Sequence, residues 1–185
     1  MAEEEIYGLI KNYIMRKIFL LFLIVLVSHS CLTQTKEESQ TSLNHTTYNF
    51  PELIGYVNDY ALILDSLETE KLERKLIDFN ELTTNQMVIL TIIDDEVTEE
   101  NFEDYALSLS NYWGVGSKEK NNGLTIVLNP KLRLIRISTG LGIQEILTDE
   151  ICERILQNII LPEFENEDYY NGLDKGTDEL IKFWK

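Results

Sequence analysis

Histidine is nearly absent from this chain. The two present, His29 and His45, both precede residue 50. A serine or cysteine nucleophile further along would have no imidazole beside it, which excludes Ser–His–Asp and Cys–His chemistry there. The same lack argues against a structural zinc site. Cysteine is equally scarce, with only Cys31 and Cys152. If Cys31 carries a lipid, no disulfide can form within one chain. Cys152 shares an apolar helical stripe with Ile151 and Ile155 and reads as a buried, inert thiol. Positive charge is short as well: 16 Lys and Arg face 32 Asp and Glu, for a net charge of −16. From Pro51 onward the balance is 12 against 27, a net of −15. Such a domain repels duplex DNA and anionic membrane surfaces, so no nucleic-acid partner is expected. The acidity is either a solvated surface or a cation-binding one. No apolar run is long enough to span a bilayer; the longest, Ile18 to Val27, has ten residues.

That short run has a meaning of its own. In "MRKIFLLFLIVLVSHSC", Arg16 and Lys17 precede it, and small polar residues lead to Cys31. This is the order of a signal peptide, and Cys31 resembles the lipidated cysteine of a bacterial lipoprotein. Ordinary signal-peptidase cleavage nearby is the alternative. The glutamates of "MAEEEIYGLIKNYI" do not suit a secretory start, so residues 1–14 read as a non-native extension and Met15 as the true start. Residues 15–31 are then the signal peptide. Residues 32–50, rich in Thr, Ser, Gln, Lys and Glu, read as a disordered tether. Residues 51–185 are the folded domain, a size ordinary for one. The implied location is the cell envelope, lipid-anchored and facing the periplasm or exterior.

Within the domain, Asp65 and Glu68 form a capping-box start for a helix to Leu82, with Leu72, Leu76 and Phe79 on its apolar stripe. "QMVILTII" (86–93) reads as a buried strand. Thr98 opens a second helix, striped by Phe102, Tyr105, Ala106, Leu109 and Trp113. "GLTIVLN" (123–129) is a strand, "NPK" a turn, and "LRLIRIS" (132–138) a third strand nearer an edge. Asp149 to Leu161 reads as a helix stopped by Pro162. Tyr170, Leu173, Thr177, Leu180 and Trp184 stripe a last helix. Strand–helix–strand over 86–129 predicts a parallel pair, and the tight turn at Pro130 an antiparallel one. The expected fold is α/β: a three-layer α/β/α sandwich with a small mixed sheet and helices on both faces. In this topology Asp94, Asp95 and Glu96 share a sheet edge with the Pro130 turn. Asn121 and Asn122 meet Gly140 to Gly142 at the opposite edge, beside the start of the 149–161 helix.

Several residues there could carry chemistry. "GLG" (140–142) lacks the third glycine of a dinucleotide fingerprint, and no Walker loop exists. Gly140 and Gly142 serve either a tight turn or an anion or water site built from free amides. Asp149 is either a first-turn carboxylate favoured by the helix dipole or a hard-cation ligand. Asn121 and Asn122 before Gly123 are either turn residues or amide ligands for calcium. Asp59, in a loop before the first helix, and the 94–96 run are each either solvated or cation-binding.

Taken together, "YVNDYALIL", "NQMVILTI", "EDYALSLSNYWGVGSKEKNNGLTIVLN", "RLIRISTGLGIQEILTDE", "ILPEF" and "DYYNGLDKGTDEL" resemble the TPM domain family over roughly residues 55–185. That family occurs in thylakoid-lumen photosystem-repair proteins and bacterial envelope proteins. The resemblance implies an α/β/α sandwich and binding of Ca²⁺ or another divalent cation such as Mg²⁺ at acidic residues. It implies acid phosphatase activity in some members and an accessory or quality-control role for membrane complexes in others. Carried onto this chain, the metal positions are Asp59, Asn122 and Asp149. The ligand-binding loop is Asn121, Gly123, Gly140 and Gly142, and any catalytic carboxylate is Asp59 or Asp149. The chain departs from the pattern at Leu62, usually glycine, and at Asn121, Ser138 and Gln144, usually acidic. Fewer carboxylates weaken both cation binding and metal-assisted phosphoryl chemistry. The expectation is a monomeric, lipid-anchored envelope domain that binds a divalent cation and assists assembly or quality control of an envelope protein partner. The alternative is a metal-assisted acid phosphatase.

Overall fold

The computed structural model describes residues 48–184. The extension, signal peptide, Cys31 and most of the tether lie outside them. Four strands form one sheet in the order β1-β2-β3-β4: β1 Val57–Asp59, β2 Gln86–Thr91, β3 Gly123–Asn129 and β4 Leu134–Thr139. β2 and β3 run parallel and β3 and β4 antiparallel, as the spacing predicts, and β1 adds a further parallel pairing with β2. β1 is an addition to the expected three strands. It is only three residues long and carries Asn and Asp, so it has no apolar alternation to announce it. Its pairing is held from outside. Glu73 accepts the N–H groups of Tyr56 (3.0 Å) and Val57 (2.7 Å), and buried Asn58 ties the strand start to Gly55 and Ile89.

Helices cover both faces. On one lie α1 (Ser66–Thr83) and the C-terminal helices α3 (Asp149–Ile155), α4 (Leu161–Phe164) and α5 (Tyr169–Trp184). Leu72, Leu76, Met87, Ile89, Leu124, Ile126, Leu173 and Leu180 fill the core between them. On the other face lies α2 (Phe102–Trp113), packed through Phe102, Tyr105 and Leu109 onto Leu90 and Val127. Both halves of the Asp65–Glu68 capping box are present at the start of α1. Two residues of the expected tether also pack: Tyr48 and Phe50 set their rings against Tyr105.

Two helix boundaries differ from expectation. Thr98 does not open α2, which starts at Phe102 after a turn. Pro162 does not stop the helix after Asp149. A π-helical segment, Leu156–Ile160, intervenes, and Pro162 sits in the first turn of α4. The wider turn resets the hydrogen-bond register, so a proline falls where its missing N–H costs little.

Candidate functional site

The parallel strands place two loop clusters at opposite ends of the sheet. At the end where β2 and β3 begin, the loops 114–122 and 139–148 meet, as the topology predicts. Asn122 is the junction and is 4% exposed. Its Oδ1 accepts the N–H of Ser117 (3.0 Å), while its Nδ2 donates to Thr84 O (2.8 Å) and Asn85 Oδ1 (3.0 Å). Both Nδ2 hydrogens and one lone pair of Oδ1 are therefore spent on joining the two loops, which gives this buried amide a scaffold role. Asn121 holds a left-handed φ of 47°, a conformation asparagine tolerates.

The glycines are explained by backbone-to-backbone packing. A Cβ at Gly123 would fall on Val115 O, and one at Gly142 on Lys120 O. Gly140 donates to Gly123 O (2.8 Å) and Gly142 to Asn121 O (3.1 Å). Neither amide is free to bind an anion, so the tight-turn reading holds for both.

The loops enclose a cleft of about 470 Å³ against the C-terminal end of α2. Ser110, Asn111, Ser117, Lys118, Asn121, Thr125, Ser138, Thr139 and Gln144 supply its polar lining, which includes no Asp, Glu, His or Cys. Leu141, 77% exposed, stands on its lining. The three positions at which acidic residues are expected by resemblance, Asn121, Ser138 and Gln144, all line this one cleft and are all neutral. Asp149 does not line it. It is the exposed first residue of α3, behind the Thr148 cap that accepts from Ile151 N. There its carboxylate sits at the favourable end of the helix dipole.

Asp59 is at the other end of the sheet. It closes β1 opposite Thr91, the last residue of β2, whereas Gly123 lies opposite Gln86, the first. Five residues at ~3.3 Å each separate the two ends by about 17 Å. Asp59 is thus not brought together with Asn122 or Asp149. Its carboxylate accepts the N–H groups of Ile63 (3.2 Å) and Leu64 (2.9 Å) and the hydroxyl of Thr91, and so fixes the loop into α1. Nearby, Asp94 accepts from Glu96 N (2.8 Å), and Asp95 pairs with Lys131 of the Pro130 turn (3.1 Å). Among the described residues, no group of three His, Cys, Asp or Glu side chains could hold a metal ion.

Cys152 is buried, and burial pushes its thiol up to about 11, the inert state its sequence context suggests. Glu73, Thr91, Ser110 and Lys118 were not legible as site or scaffold residues. Glu73 and Thr91 act through partners far away in sequence, and Ser110 and Lys118 reach the cleft lining only through the fold, so no local pattern marks any of them.

Comparison with known proteins places this geometry. No curated protein matches the chain. Among solved structures, the N-terminal domain of a protein from P. gingivalis is 30% identical, with 69% of this chain and 80% of that one covered and a TM-score of 0.57. The BA42 protein from the psychrophilic bacterium Bizionia argentinensis shares the fold at 17% identity, 65% and 80% coverage and a TM-score of 0.57. The N-terminal domain of the cg2496 protein from Corynebacterium glutamicum does so at 16% identity, 73% and 84% coverage and a TM-score of 0.55. A family model of the TPM domain matches residues 57–183, from the start of β1 into the last turn of α5, and the chain belongs to the TPM domain family.

Proposed function

We propose that the domain is a binding module rather than a catalyst, held at the cell envelope by a lipid on Cys31 and acting as an accessory factor in assembly or quality control of an envelope protein. The observation that carries this is the neutral lining of the cleft at Asn121, Ser138 and Gln144. Phosphate-ester hydrolysis needs a nucleophile or activated water, a group to move protons, and charge to offset the phosphoryl oxygens. The lining offers hydroxyls, amides and one ammonium, Lys118. Its only lysine would attract a phosphate, and the lining holds no carboxylate or imidazole to take a proton from water. Asp59 and Asp149, the two carboxylates the phosphatase reading needs, are held apart by the length of the sheet.

A divalent cation fits here only through neutral oxygens: the side chains of Asn121, Ser138, Thr139 and Gln144 and the carbonyls beside them. Such a donor set suits Ca²⁺ better than Mg²⁺, because calcium tolerates irregular oxygen shells. With no carboxylate in the shell, affinity falls toward the weak end of calcium sites, about 10⁻⁴ to 10⁻³ M. A cation at this cleft would order loops and shape a contact surface, without generating a nucleophile.

The test is hydrolysis of p-nitrophenyl phosphate between pH 4 and 8, with and without millimolar Ca²⁺ or Mg²⁺. The expected result is no turnover above that of buffer alone, with or without metal. Turnover that needs metal and is lost in Asp149→Ala would overturn the binding reading in favour of a phosphatase.

A further inference from the structure

We propose that the outer edge of β4 is a docking site for an extended, acidic peptide segment of a partner protein, which joins the sheet as a fifth strand. This rests on the reading of the domain as a binding factor but not on its cation.

The first observation is the edge itself. Gly140 donates to Gly123 O, so the alternation of an antiparallel ladder makes Thr125 with Ser138, and Val127 with Arg136, the bonded pairs. The N–H and C=O groups of Ile135, Ile137 and Thr139 then point away from β3. None of them has a hydrogen-bond partner among the described residues. The opposite edge is blunted, because β1 spans only three residues. A six-residue edge left open is a template for strand addition.

The second observation is what flanks the edge. A cavity of about 190 Å³ opens beside Ile135, between Leu128, Leu161, Phe164 and Tyr169. Its two carboxylates, Glu165 and Glu167, are exposed, so a side chain seated among the rings is an uncharged, apolar one. The 470 Å³ cleft opens beside Ser138 and Thr139, with hydroxyls and amides. Ile135 lies on the face of α1 and α5, and Ser138, three residues on, lies on the face of α2. Side chains of an added strand alternate with the same period. A residue opposite Ile135 therefore faces the apolar cavity, and one opposite Ser138 faces the polar cleft. The specificity this defines is one large apolar residue, with a small hydroxyl or amide residue three positions away.

The third observation is charge. Lys120 to Gln144, the β3–β4 hairpin with its flanks, contains 4 of the 12 Lys and Arg found from Pro51 onward and none of the 27 Asp and Glu; Lys131 and Arg136 are paired with Asp95 and Glu103 of neighbouring elements, and Lys120 and Arg133 have no ion pair among the described residues. At one end of β4 stands Arg133, with no ion pair or hydrogen bond among the described residues, and at the other stands Lys118 of the cleft. In a chain of net charge −16, this is the surface that an acidic segment can approach. A second copy of the chain would bring its own acidic bulk with it.

The experiment uses the full chain and the capped peptide Ac-Glu-Thr-Val-Glu-Phe-Val-Glu-NH₂. Laid antiparallel, it sets its threonine opposite Ser138, its phenylalanine opposite Ile135 and its last glutamate opposite Arg133. Two further peptides are N-methylated at alternate residues, one on the edge that meets β4 and one on the far edge. The expected result is slowed amide exchange at Ile135, Ile137 and Thr139 on binding. Methylation of the β4-facing edge weakens binding at least tenfold, and methylation of the far edge leaves it unchanged. Thr139→Pro, which removes an outward N–H not used by β3, lowers affinity similarly. Equal binding of both methylated peptides overturns the proposal, as does no binding at millimolar peptide. A dimer by sedimentation with β4 amides already protected also overturns it, in favour of a second copy. Repeating the titration with and without Ca²⁺ separates the two readings. A cleft that responds to calcium but not to the peptide rejects only the docking site.

Discussion

The two ends of the sheet are built from the same material and do opposite things with it. At the end where the parallel strands finish, carboxylates are plentiful and occupied: Asp59 caps a loop, Asp94 closes a turn, and Asp95 pairs with a lysine. At the end where they start there is a recess, and its lining contains no carboxylate. The carboxylates of Asp59, Asp94 and Asp95 and the neutral recess are separated by the length of β2. Charge counted along the sequence is therefore a poor guide to where a cation or substrate sits. A carboxylate beside free backbone N–H groups satisfies them, and once it has done so it has little left for a ligand.

The comparison can be broken first at the recess. Gly123→Ala drives a methyl into Val115 O, and since both neighbours are backbone neither can swing aside. A loss of about 3 kcal/mol is expected, in the upper range for overpacking, read as a lowered urea midpoint. A change under 0.5 kcal/mol would show that the loops are not packed as described. At the acidic end, Asp59→Ala removes the acceptor for Ile63 N, Leu64 N and the Thr91 hydroxyl. The expected cost is about 2 kcal/mol, with calcium-induced shifts at the cleft unchanged. If those shifts vanish in a variant that remains folded, the two ends act as one site and the separation drawn here is wrong. The smallest effect is also at the acidic end. Leu62 holds a φ of 56° with its side chain 85% exposed, where the family pattern has glycine. Leu62→Gly relieves that strain and should stabilise the protein by about 0.5 kcal/mol after the entropy gained by the unfolded chain. Destabilisation would mean that Leu62 makes a contact of its own.

Much of this was legible in the sequence. Periodicity located α1, α2 and α5, and the Pro130 turn fixed the antiparallel pair. From these came the meeting of the 121–123 and 140–142 loops and the pairing of the 94–96 run with that turn. What could not be read was decided by distant partners. β1 exists because Glu73, on a helix, holds the N–H groups of Val57 and of Tyr56 just before it. Asp59 therefore lies at a strand end rather than in a loop, and that single difference moves it to the far side of the sheet. The π-helical segment has no pattern in the local sequence, which is why Pro162 looks like a stop. The glycines of "TGLG" were legible as special. Only the packed loops show that they make room for carbonyls and that their amides are already used.

The most direct measurement is a calcium titration of the chain followed by amide NMR, run beside a variant carrying Asn121→Asp, Ser138→Asp and Gln144→Glu. If the neutral cleft is what separates this chain from a metal centre, the native protein shows shifts at 121–123 and 138–144 only near millimolar calcium. The variant shows them at the same amides at least tenfold lower. Tight native binding at those residues, or no gain in the variant, would contradict the account.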